Sequence, residues 1–78
     1  MYTKDDCIKA YNSMLRTVSI SHSFSQLYEC SAYAEGYLIA MRDLEIIDHL
    51  EFFDMLHLKE NIENNVVARI NDSKVGQF

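Results

Sequence analysis

The sequence contains no proline, and glycine occurs only at Gly36 and Gly76. Sheets and loop-rich folds draw on those residues at their turns, so this scarcity favours helices. Basic residues are few as well: seven Lys and Arg stand against twelve Asp and Glu, giving a net charge of −5. The basic residues are also scattered, at Lys4, Lys9, Arg16, Arg42, Lys59, Arg69 and Lys74. Affinity for a phosphate backbone requires clustered cations, so direct nucleic-acid binding by a monomer is disfavoured. No run approaches the roughly 18 apolar residues of a membrane span, and Met1-Tyr2-Thr3-Lys4-Asp5-Asp6 lacks the apolar core of a signal peptide. A cytoplasmic protein is therefore expected, with no membrane partner and with Cys7 and Cys30 reduced. No glycine loop for phosphate, zinc spacing or calcium loop is present, and no cofactor is implied.

What remains is a chain of 78 residues, 49% hydrophobic, enough for one packed domain. Three amphipathic segments account for most of the apolar residues. The first is predicted over 4–18. Thr3 is a good N-cap with Asp6 three places on, and Cys7, Ile8, Tyr11, Met14, Leu15 and Val18 recur at spacings of three and four. The polar run from Ser19 to Ser23 ends it.

The second segment, 24–43, opens at Ser23 with Gln26 completing a capping box. Leu27, Cys30, Tyr33, Ala34, Tyr37, Leu38, Ala40, Met41 and Leu44 span an arc of about 160° at 100° per residue. An arc that wide predicts a central helix touched by both others or by a second chain. For the third, 49–70, Asp48 and Glu51 form a box while Ile47 and Phe52 stand at the positions of a hydrophobic staple. Phe52, Phe53, Leu56, Ile62, Val66, Val67 and Ile70 are expected to face the core. Weak helix propensity between Asn61 and Asn65 predicts a bend or fray there. Residues 71–78 read as a frayed tail, with Gly76 as a helix stop. The expected fold is thus all-α: a compact three-helix bundle over residues 1–70, with a helical homodimer as the alternative completion.

Few residues suggest chemistry. Asp54 and His57 share a helix face at the spacing found in di-metal bundles, but such a site needs a second pair and further carboxylates from facing helices, and a solvated pair is the simpler reading. Cys7 and Cys30 lie on apolar stripes, several residues out of register for a disulfide in an antiparallel hairpin. Ser23 beside His22 is already explained as a cap. Neither catalytic nor metal-ligating residues are assigned, and no enzyme activity is expected.

Features suited to contact are more prominent. Tyr33 and Tyr37 lie one turn apart on the second helix, and tyrosines favour half-wet contacts. Ala32, Gly36 and Ala40 form a small-residue row that permits close approach of another helix, including a second copy. Seven carboxylates, among them Glu45, Asp54, Glu60 and Glu63, lie between Asp43 and Glu63 against Lys59 alone. They form either a solvated face or a docking surface for a basic protein groove.

The expected function is that of a non-enzymatic, stoichiometric protein-binding accessory factor that inhibits or modulates a larger machine. Phage- or plasmid-encoded anti-defence proteins, anti-CRISPR proteins included, suit that description. The alternative is a small dimeric transcription regulator gathering Lys4, Lys9, Arg16 and Arg69 on one nucleic-acid-binding face.

Overall fold

A computed structural model describes residues 3–75 and their side chains through Asp72. Three helices follow one another: α1 (Lys4–Ser19), α2 (Phe24–Asp43) and α3 (His49–Val75). Each pair of helices is in contact, and no strand occurs among the described residues. The chain is a three-helix bundle, as its periodicity predicts.

Local signals set the helix starts. Around Thr3 the capping box is complete: the Asp6 amide donates to Thr3 Oγ1 at 3.1 Å, and the Thr3 amide donates to Asp6 Oδ2 at 3.0 Å. At α3 the Glu51 amide donates to Asp48 Oδ1 at 2.8 Å and the Asp48 amide to Glu51 Oε1 at 3.2 Å. Ile47 and Phe52 are buried in one cluster, as the staple requires. Only half of the expected box forms at α2. The Gln26 amide donates to Ser23 Oγ, but the Gln26 side chain reaches one residue further back, to the His22 amide at 2.9 Å.

Long-range contacts fix the helix directions. Lys4 meets Glu51, Tyr11 reaches Met55, and Arg69 reaches Ser19 and Ser21. α1 and α3 therefore run parallel, with α2 antiparallel to both. Arg69 lies level with the α1–α2 loop, donating to the Ser19 and Ser21 carbonyls at 2.8 and 2.6 Å. These bonds satisfy carbonyls near the end of α1, which are otherwise orphaned.

The sequence reading requires two boundary corrections. α3 continues five residues past Ile70 to Val75, where a loose tail is expected from Asn71. Once a helix is nucleated, each further residue adds a bond, and this polar turn runs past the loop at the level of Arg69. Gly76 and the rest of the tail lie outside the described residues. α3 also runs unbroken through Asn61, Asn64 and Asn65. Burial of Val66 and half-burial of Ile62 hold that stretch against its weak propensity.

The core is narrower than the apolar arcs suggest. α2 buries Leu27, Ser31, Ala34, Leu38 and Met41, whereas Tyr33, Ala40 and Leu44 are exposed. On α3, Phe52, Lys59, Val66 and Ile70 are buried, and Phe53, expected inside, is half exposed. Two apolar clusters result. One holds Tyr11, Leu15, Leu38, Met41, Ile47 and Phe52; the other holds Val18, Leu27, Val66 and Ile70, and Ile62 packs on both.

The α2–α3 turn carries the backbone's one positive φ at a non-glycine residue among those described, 59° at Glu45. The Ile46 amide donates to the Met41 carbonyl at 2.9 Å and the Glu45 amide to the Arg42 carbonyl at 3.0 Å, which is a Schellman closure. Its left-handed position normally takes glycine, and a carboxylate there also faces the negative end of the helix dipole. Glu45→Gly is expected to stabilise the fold by about 1 kcal/mol, read as a higher urea midpoint at unchanged slope.

Candidate protein-binding surface

The interior is sealed around a polar layer that periodicity does not reveal. Lys59 is only 4% exposed. Its ammonium donates to Ser31 Oγ at 3.2 Å and pairs with Glu63, while Ser31 Oγ donates to Glu63 Oε1 at 2.9 Å. Facing residues of α2 and α3 thus form a closed three-membered ring lying in sequence between the two apolar clusters. Tyr11, with no exposed surface, donates its hydroxyl to the Met55 carbonyl at 3.2 Å. Burial, and secondarily the negative charges of Glu63 and Glu35, push the Tyr11 phenol up to about 12. Among the described residues, no buried side-chain nitrogen or oxygen lacks a partner.

Charges outside are mostly spoken for. Lys4 forms an ion pair with Glu51 at 2.7 Å, and that hydrogen bond holds the Lys4 ammonium above the ordinary lysine range. Arg42 stacks on the Phe52 ring at 4.5 Å and touches Asp43 at 3.3 Å. Arg69 is committed to the α1–α2 loop. Lys4 and Arg69 consequently act at opposite ends of α1. Lys9 and Arg16 are the exposed cations on α1 to which no intramolecular partner is assigned; the Lys74 side chain lies outside the described side chains.

The predicted contact residues do not share one surface. Glu63 is half-buried and drawn into the Lys59 ring. Tyr37 is half-buried against the cluster that holds Tyr11 and Leu38, so it is a core-edge tyrosine, unlike Tyr33, which is 71% exposed. Glu45, Asp54 and Glu60 are exposed on the acidic stretch, and Glu60 lies 3.9 Å from His57 Nδ1. With Glu51, Asp43 and Glu63 each beside a cation and Asp48 capping α3, that stretch presents less free negative charge than its composition suggests.

Ala32, Gly36 and Ala40 are all exposed, on the outer face of α2. A Cβ built on Gly36 meets nothing within 4 Å. Neither α1 nor α3 therefore accounts for a glycine that weakens the middle of a helix by about 1 kcal/mol. Gly36→Ala is expected to stabilise the isolated chain by about that amount, measurable by urea unfolding. A gain near zero would show that Gly36 already sits in packed surroundings.

Around this row lie large side chains that the sequence reading placed in the core or did not single out. Tyr28 is 65% exposed and stacks on Phe24 with ring centroids 6.3 Å apart; Ile39 lies one turn on from Gly36 and two from Ala32 and is also exposed. Shallow clefts flank Tyr33, one lined by Met14, Thr17 and Cys30 and another by Glu29 and Ala32. Leu44 and Leu50, at 72% and 77% exposure, and half-exposed Phe53 form a second apolar group at the α2–α3 corner and the outer side of α3. The signal for both groups was in the sequence as apolar residues outside the stripe 27-31-34-38-41 and its α3 counterpart.

The residues weighed for chemistry stay apart. Among the described residues no three His, Cys, Asp or Glu side chains gather as a metal would require, and His57 faces Glu60. Ser23 Oγ accepts the Gln26 amide as a helix cap. Cys7 and Cys30 are free thiols, buried and half-buried respectively. No described helix is long and apolar enough to cross a membrane. No protein-family model, curated protein or solved structure matches the chain.

Proposed function

We propose that this chain is a stoichiometric protein-binding factor that inhibits or modulates a larger protein in the cytoplasm. The observation that carries this reading is the contrast between its interior and its surface. Every buried side-chain polar atom described has a partner, yet Tyr28, Tyr33, Ile39, Leu44, Leu50 and Phe53 stay exposed on a chain of 5601 Å² total surface. Exposed aromatic and aliphatic groups beside carboxylates supply contact area and charge selection without a reaction centre. Inhibitors carried by phages or plasmids against host defence are the setting this economy of parts suits.

Immobilised protein should retain one dominant partner from its native host in fixed proportion. Its affinity should fall as salt rises, because the carboxylates contribute to recognition. Absence of any retained protein above a scrambled-surface control would remove the proposal. The nucleic-acid alternative rests on Lys9 and Arg16, seven residues apart and so on nearly one side of α1. With Lys4 and Arg69 engaged elsewhere, the two that remain of those four are too few for strong phosphate binding. A gel shift at low salt would revive it.

A further inference from the structure

The geometry points to the outer face of α2 as the docking face, and to its occupant as a helix of another protein whose apolar seam has basic residues on both flanks. This inference rests on the protein-binding function proposed above and names the partner's chemistry. Three observations converge. First, Ala32, Gly36 and Ala40 form a flat strip with open space over Gly36, so a helix backbone can approach closely. Second, the strip has apolar walls: Tyr28 and Ile39 on one side and Tyr33 on the other, all exposed. Tyr28 is held by stacking on Phe24, and Tyr33 stands between two clefts able to take side chains.

The third observation is charge. Glu29 and Glu35 are exposed, lie about 120° apart around the helix axis and bracket the strip. No Lys or Arg lies within ion-pair distance of either among the described residues. Asp43 closes the strip at its far end, sharing its carboxylate with Arg42. The exposed face of α2 thus carries carboxylates and almost no positive charge. A second copy of this chain, in either orientation, brings carboxylates against carboxylates from a molecule of net charge −5. A partner with Lys or Arg beside an apolar seam instead places each cation against Glu29 or Glu35 and lays its stems along Tyr28 and Tyr33.

The test uses two helical peptides of about 18 residues, long enough to lie along most of α2. Both have a Leu/Ala seam; one carries Lys on each flank and the other Glu. Binding is followed by fluorescence anisotropy and by amide shifts in nitrogen-15-labelled protein. The Lys peptide should bind and shift amides around Tyr28, Ala32, Gly36 and Ile39, and the Glu peptide should not bind. Gly36→Leu, which fills only solvent space, should stay folded while losing about tenfold or more in affinity, and Leu50→Glu should bind as the wild type does. The inference is overturned if the Lys peptide fails to bind, if its shifts map to Leu50 and Phe53, or if Gly36→Leu binds unimpaired. The broader protein-binding reading fails separately, when the wild-type chain retains no host protein. A host partner that Gly36→Leu still holds would overturn the α2 face alone.

Discussion

Replacing Lys59 with Ala should cost this small domain about 2–3 kcal/mol, a large part of the roughly 4–12 kcal/mol expected for its size. Two effects add. The four-carbon stem of Lys59 fills the core stripe of α3 between Phe52 and Val66, and its loss leaves a void. Glu63 and Ser31 also lose the cation around which they are arranged. Removing one partner of a buried pair typically costs 3–5 kcal/mol. The lower figure applies here because the Glu63 side chain keeps 28% of its exposure and can rehydrate. Lys59→Met should cost less, since it retains the stem.

The companion experiment reverses the sign. The triple variant Ser31→Ala, Lys59→Leu and Glu63→Leu turns the layer apolar, and should gain about 1–3 kcal/mol. For a domain of this length that is roughly 4–8 °C in melting temperature per kcal/mol. Urea titration of the single and triple variants measures both effects. A triple variant less stable than the wild type would mean that the ring stabilises the fold outright. The layer's remaining role is then register: only one alignment of α2 on α3 sets Ser31 opposite Lys59 and Glu63, whereas apolar layers tolerate sliding.

Stability should also decline steeply in strong base, by up to about 2–3 kcal/mol between pH 10 and pH 12, through Tyr11 alone. The sign follows from its phenol, which loses its proton near 10 in the unfolded chain and near 12 in the fold. Across that interval the folded state binds more protons than the unfolded state, so unfolding is favoured as pH rises, by about 1.4 kcal/mol per unit. Below pH 10 the contribution is fully present. Tyr11→Phe removes this dependence and forfeits the hydrogen bond to the Met55 carbonyl, worth about 1 kcal/mol at neutral pH. The stability curves of wild type and variant should therefore cross at about pH 11. Parallel curves from pH 9 to pH 11.5 would show that the phenol is not confined in the apolar interior.

Local signals in the sequence proved far more legible than lateral ones. The caps at Thr3, Ser23 and Asp48 were readable because each bond closes within four residues. So was the staple between Ile47 and Phe52. What periodicity could not supply was the identity of the residues that complete a stripe. Lys59 occupies a core position in the 52-59-66-70 row, but a search for apolar side chains passes over a lysine whose stem is buried and whose charge is met by Glu63 four residues on. Ser31 was passed over for the same reason. The width of the α2 arc misled in the opposite direction: Tyr33, Ala40 and Leu44 extend its apolar side, yet two neighbouring helices cover only part of it.

The candidate surface was legible to the same degree. Ala32, Gly36, Ala40 and Tyr33 were identified from spacing and stand together on one outer face. Glu63 and Tyr37 were not separable from them, because the burial of Glu63 depends on Ser31 of α2 and that of Tyr37 on a cluster built with α1 and α3, contacts that lie tens of residues away in sequence. Glu45 was identified for its charge, whereas its backbone conformation gives it a structural part at the α2–α3 turn.

The claim that this molecule works by contact, one chain to one target, meets its most direct test in a titration of a host partner. With the partner's own activity as the readout, the effect should grow linearly with added chain and level off at one equivalent. A continuing effect at a small fraction of an equivalent would mean turnover, and would contradict the reading of a bundle whose polar interior is already satisfied.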